Sequence, residues 1–101
     1  MSDVYALVRS IRANRFSRNR HFDEHATPEA AAARRLNRFL RGVERDVMAA
    51  SHVQARREGE RYVVWMQFVS VRLSRRVALT AEEHALLVED SRLAPLLTPI
   101  A

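Results

Sequence analysis

Two short runs bring together side chains whose types could do chemistry. In His21-Phe22-Asp23-Glu24-His25 two imidazoles stand four residues apart with two carboxylates between them. On a helix that spacing would turn both imidazoles to one side, where they could share a metal ion such as zinc. The order is not the His-Glu-x-x-His of metalloprotease helices, in which a glutamate is placed as general base. The run also sits in a stretch without sustained apolar period, so it reads as a connector, and surface or capping roles are expected for His21 and His25. No metal site is expected. Glu82-Glu83-His84 has the residue types of an acid/base pair, yet Glu83 is already accounted for as the partner of Thr80 in a helix cap. His52 and His84 are isolated. There is no cysteine, which removes thiolate nucleophiles, thiolate ligands and disulfides. Gly42 and Gly59 are the only glycines and no serine has a nucleophile-elbow context, so phosphate cradles and the common nucleophile motifs are absent. The chain is therefore expected to be non-enzymatic and to use no cofactor, with a metal-dependent enzyme as the distant alternative.

Arginine is the other chemical signal. All 17 basic residues are arginine, and the formal net charge is +5. Codons rich in G and C favour arginine over lysine, and they also favour the alanine abundant here. Arginine is equally the residue of planar, bidentate contacts to phosphate and carboxylate. Arg34, Arg38, Arg41 and Arg45 are spaced 4, 3 and 4 apart and so share one helix face. Like charges at those spacings repel by roughly 0.2–0.5 kcal/mol per pair unless something neutralises them. Arg9, Arg12, Arg15, Arg18 and Arg20 lie upstream, with Phe16 and Phe22 among and just beyond them. Aromatics among arginines suit stacking on unpaired bases. This basic face is read as solvated, with a nucleic-acid surface as the alternative.

The elements that must position these residues follow from periodicity. Val4, Leu7, Val8 and Ile11 define one face of a helix from about Asp3 to Ala13. Thr27-Pro28-Glu29 opens a second helix, with Thr27 as N-cap and Pro28 at the first helical position. Leu36, Phe39, Leu40, Val43 and Val47 place its apolar stripe, and it should run to about Ala50. His52 to Arg57 and Glu60 to Leu73 are rich in β-branched and aromatic residues, with a hairpin turn at Glu58-Gly59. Tyr62 to Val69 is apolar on both faces, which predicts a strand covered on both sides or one carrying a bulge. Ser74-Arg75-Arg76 reads as a turn into a short third strand, Val77 to Leu79. Thr80 and Glu83 then form the capping box of a helix ending near Glu89. Leu93, Leu96, Leu97 and Ile100 repeat a helical spacing, but Pro95 and Pro99 forbid one regular helix, so 91–101 reads as a Leu/Pro tail, extended in one reading.

Strand residues ending in Val77-Ala78-Leu79-Thr80, with Glu83 and Leu86-Leu87, resemble the strand-to-first-helix junction of winged-helix transcription regulators. A strand followed by a capped helix accounts for that likeness, and no family is carried over. At 101 residues, with 48% hydrophobic and 29% charged residues, the chain has the composition of one globular domain, residues 1–101. The fold class expected is α+β, in the order α-α-β-β-(β)-α, with two N-terminal helices, a small antiparallel sheet and a short C-terminal helix. No apolar run is long enough to span a bilayer and no signal-peptide pattern opens the chain, so a cytoplasmic location is expected. The reading is of a small binding or accessory protein, self-associating or engaging another protein. Its candidate contact residues are Tyr62, Trp65, Phe68, Leu93, Leu96 and Leu97.

Overall fold

The computed structural model describes residues 3–13 and 27–100. The elements are α1 (Asp3–Ala13), α2 (Pro28–Ala49), β1 (His52–Glu58), β2 (Arg61–Phe68), a 3-10 turn (Val69–Val71), β3 (Leu73–Thr80), α3 (Ala81–Val88) and α4 (Ala94–Leu97). The strands form one antiparallel sheet in the order β1-β2-β3. The fold is α+β, in the order the sequence predicts. The chain divides into two units, residues 1–41 and 42–101, with the boundary inside α2.

In the first unit α1 buries Val8 and Ile11 and half-buries Val4 and Leu7, the face its spacing predicts. Thr27 caps α2: its hydroxyl accepts from the Ala30 N–H at 3.0 Å, with Pro28 opening the helix. The buried line of α2 runs through Ala33, Asn37 and Leu40. Phe39, expected within the stripe, lies at its margin and is exposed. At 3.6 residues per turn it is a whole residue step, about 100°, away from Leu40. Asn37 takes an interior place instead, and its Oδ1 has no hydrogen-bond partner among the described residues. An unsatisfied interior acceptor costs about 1–3 kcal/mol.

The second unit is built on the sheet. Gly59, with φ +65°, makes the β1–β2 turn with Glu60. A first turn residue at positive φ followed by one at negative φ is the type II′ pattern, whose twist suits a two-residue hairpin. This turn sets Ala55 opposite Val64 and Gln54 opposite Trp65. The second turn differs from expectation. Val69–Val71 is a 3-10 turn rather than strand, followed by Arg72 at φ 54°. The β-branched residues of that run favour strand locally, but pairing of Phe68 with Leu73 starts β3 at Leu73. Ser74, Arg75 and Arg76 are thus strand residues, not a turn.

Alternation along the strands divides the sheet into two faces. Ala55, Val64, Met66, Val77 and Leu79 are buried on one of them. On that face His84 of α3 stacks on Tyr62, and Asp46 of α2 pairs with Arg75. Leu86, Leu87, Leu93 and Leu97 from α3 and the tail complete the interior. Thr80 caps α3 as expected: its hydroxyl accepts from Glu83 N at 3.1 Å, and the Glu83 carboxylate accepts from Thr80 N at 2.8 Å. The tail forms one helical turn with Pro95 at its start, then becomes extended, and Ile100 N donates to Ala55 O at 3.1 Å on the outer edge of β1. The other face carries Trp65 exposed, so β2 is not covered on both sides.

Candidate functional site

The exposed face of the sheet assembles side chains that are distant in sequence. Trp65, on the middle strand, stands between Gln54 of β1 and Arg76 of β3 in register. It is 46% exposed. The Arg76 guanidinium lies 5.4 Å from the indole centroid, within cation–π range, and reaches the Glu58 carboxylate at 3.4 Å. One step along β2, Gln67 is flanked by His52 and Ser74; one step the other way, Val63 is flanked by Arg56 and Ala78. Val63 is the buried exception on this face. His52, Gln54, Arg56, Trp65, Gln67 and Ser74 line an open groove of about 790 Å³.

The β2–β3 end is different in kind. Val69, Val71 and Leu73 are 61%, 61% and 64% exposed, and Val69 and Leu73 line a shallow depression of about 330 Å³ with Phe68 and Arg72. The turn is held: Arg72 N donates to Val69 O at 3.2 Å and Val69 N to the Ser51 hydroxyl at 3.3 Å. A side chain in the left-handed region costs about 1–2 kcal/mol relative to the right-handed one, and such strain gathers at functional places.

The sequence-predicted residues fall out unevenly. Arg38, Arg41 and Arg45 of α2 are exposed, as is Arg9 of α1, whereas Arg34 and Arg12 are half-buried. Arg45 approaches Asp46 at 3.9 Å. Arg15, Arg18, Arg20, His21 and His25 lie outside the described residues, as do Phe16 and Phe22. Of the candidate contact residues, Trp65 and Leu96 are exposed, and Tyr62 and Phe68 half-buried. Leu93 and Leu97 are fully buried; they are taken up by the chain's own core, because the helical turn at Ala94–Leu97 points them inward.

Glu83 and His84 are held in structural roles. Beyond the cap at Glu83, the His84 ring stacks on Tyr62 with centroids 3.9 Å apart and planes 7° from parallel. Its Nε2 lies 2.8 Å from Leu97 O, where a protonated Nε2 donates and ties α3 to α4. Arg57 covers the Tyr62 ring at 5.7 Å. Among the described residues no group of three or more His, Asp or Glu is placed to hold a metal, and no helix is long and apolar enough to cross a membrane. At the α3–α4 connection Asp90 bonds Arg92 at 2.7 Å, and this hydrogen bond and charge raise the arginine's pKa above its usual value.

Gln54, Arg56, Gln67 and Arg76 escaped the sequence reading. Alternation from Trp65 through the Gly59 turn would have found Gln54 and Arg56. Arg76 required the second turn to be placed at 69–72. The chain matches no family model, no curated protein and no solved structure.

Proposed function

We propose that this chain is a small non-enzymatic binding protein that acts through protein–protein contacts, a second copy of itself first among the partners. The observation that carries the reading is the hairpin end: Val69, Val71 and Leu73 stand exposed within five residues on a hydrogen-bonded turn. Contiguous exposed apolar side chains are the mark of an interaction surface, and Arg72 is the sole charge from Phe68 to Leu73. A two-fold axis would set this patch against itself with a single like-charge pair to separate. A cytoplasmic setting belongs to the same proposal, since a chain without cysteine has no need of an oxidising compartment.

Light scattering at micromolar concentration tests it. The expected mass is near twice the 11.6 kDa of one chain, and Leu73→Asp should return the monomer with the melting temperature of the dissociated wild type. A wild type that stays at 11.6 kDa at millimolar concentration overturns self-association.

A second reading rests on α2. Arg35, Arg38 and Arg41 are exposed and have no carboxylate partner among the described residues, an arrangement that suits phosphate contacts. Binding of generic duplex DNA, weakened steeply by salt and by Arg38→Glu with Arg41→Glu, is its expected signature.

A further inference from the structure

We propose that the exposed face of the sheet is a stacking platform for single-stranded nucleic acid, centred on Trp65. The proposal rests on other side chains than the exposed Val69, Val71 and Leu73 of the hairpin end or the arginines of α2, although Gln67 and Ser74 border both the groove and the hairpin-end depression. The argument starts from what occupies the middle of the face. An indole on the central strand is a flat apolar plate presented to solvent, and every nucleobase has a face that can lie on it. Arg76 already lies over the Trp65 ring at 5.4 Å, so an incoming base either displaces the guanidinium from the indole or stacks on the planar guanidinium itself.

The surroundings of the plate are polar in a way a protein-binding core is not. Gln54 lies directly across from Trp65, and Gln67 lies one step along the same strand. Each amide presents a donor and an acceptor at once, as base edges do. Arg56, Arg61 and Arg76 share this face, with Glu58 the one carboxylate among its strand residues, so the face is cationic although Glu58 holds Arg76 at 3.4 Å. His52 and Ser74 add hydrogen-bonding groups to the groove. An extended polyanion with unpaired bases matches cation, amide and ring together. Duplex DNA does not, because its bases are already stacked on one another.

Trp65 is the chain's one tryptophan, so its intrinsic fluorescence reports on the proposed site alone. Titration with an oligothymidylate or oligouridylate of about twelve nucleotides should quench that emission, since stacking brings a base onto the ring. The affinity should fall with salt with a log–log slope of about −2 if three phosphates are contacted by Arg56, Arg61 and Arg76. In a labelled-oligonucleotide assay Trp65→Leu should weaken binding by roughly tenfold, the usual worth of one stacked base, while Trp65→Phe keeps most of it. Arg56→Gln should weaken it less and flatten the slope. The same sequence as a duplex should bind more weakly. Unchanged emission at saturating oligonucleotide, or equal binding by Trp65→Leu, overturns the platform. Binding lost in the Arg38→Glu, Arg41→Glu double variant but kept in Trp65→Leu assigns any affinity to α2 and also rejects it. Emission that shifts on dilution of the protein alone would show the face covered by a second copy, and the platform would fall with it.

Discussion

Residues 1–41 and 42–101 handle charge and apolar surface in opposite ways. The first stretch contains nine arginines and four carboxylates, and so carries the whole formal charge of +5. Arg35, Arg38 and Arg41 stand on α2 with no ion pair among the described residues. The second stretch has eight arginines and eight carboxylates. There Arg75 pairs with Asp46, Arg76 with Glu58, and Arg92 with both Asp90 and Glu44. Exposed apolar side chains show the reverse. Phe39 is the one large example from the described part of the first stretch, against Met48, Trp65, Val69, Val71, Leu73, Leu96 and Ile100 in the second. Uncompensated charge acts at a distance of about 10 Å and is weakened by salt; apolar surface acts only on contact and is not. The helical stretch is equipped to attract, and the β-rich stretch to hold.

The largest effects should appear where the two stretches are alike, in their interiors. Leu40→Ala and Leu79→Ala each remove a side chain that is fully buried, and each should cost about 2–5 kcal/mol in denaturant unfolding. Arg38→Ala should change stability by less than about 0.5 kcal/mol, as exposed sites do. Similar costs at Leu40 and Arg38 would mean that the buried face of α2 is wrongly assigned.

The two helix caps give a finer comparison. Thr80 exchanges two hydrogen bonds with Glu83 in a part-buried box, whereas Thr27 makes a single exposed one to Ala30 N. Thr80→Ala should therefore cost about 1–2 kcal/mol and Thr27→Ala nearer ~0.5 kcal/mol. Thermal melts of both variants decide it, and a reversed order would show that the part-buried setting of the Thr80 hydroxyl adds nothing. The reciprocal bond from Thr80 N to the Glu83 carboxylate survives Thr80→Ala and is tested by Glu83→Ala.

The smallest effect is electrostatic. Like-charge repulsion along α2 amounts to a few tenths of a kcal/mol per pair, roughly 0.2–0.5. Arg38→Ala with Arg41→Ala should raise the melting temperature slightly at low salt and leave it unchanged at high salt. Arg75→Ala, which breaks a pair with Asp46, should lower the melting temperature at low salt, with a loss of stability of no more than the ~1 kcal/mol typical of exposed pairs. Equal signs for the two variants would erase the contrast between the stretches.

Local chemistry by itself determined the helix starts, the first hairpin and the order of elements. Thr27-Pro28, Glu58-Gly59 and Thr80 with Glu83 each act within three or four residues, so the atoms that satisfy them are near in sequence. The amphipathic faces of α1 and most of α2 were legible for the same reason, because a 3.6-residue period places partners on one side before any packing occurs. What sits across a sheet is not local. The turn at 69–72 runs against the strand preference of its own valines, and it is the whole β2–β3 ladder, from Phe68 opposite Leu73 out to Arg61 opposite Thr80, that selects it. That register sets Arg76 beside Trp65, and the docking of α3 on the other face sets His84 on Tyr62. The same holds for the tail: Leu93, Leu96 and Leu97 are identical in kind, and only the turn at Ala94–Leu97 buries two of them and exposes the third. A residue's type states what it can bind, but which face it occupies is decided by partners beyond its own turn, such as Arg76 for Trp65 and His84 for Tyr62.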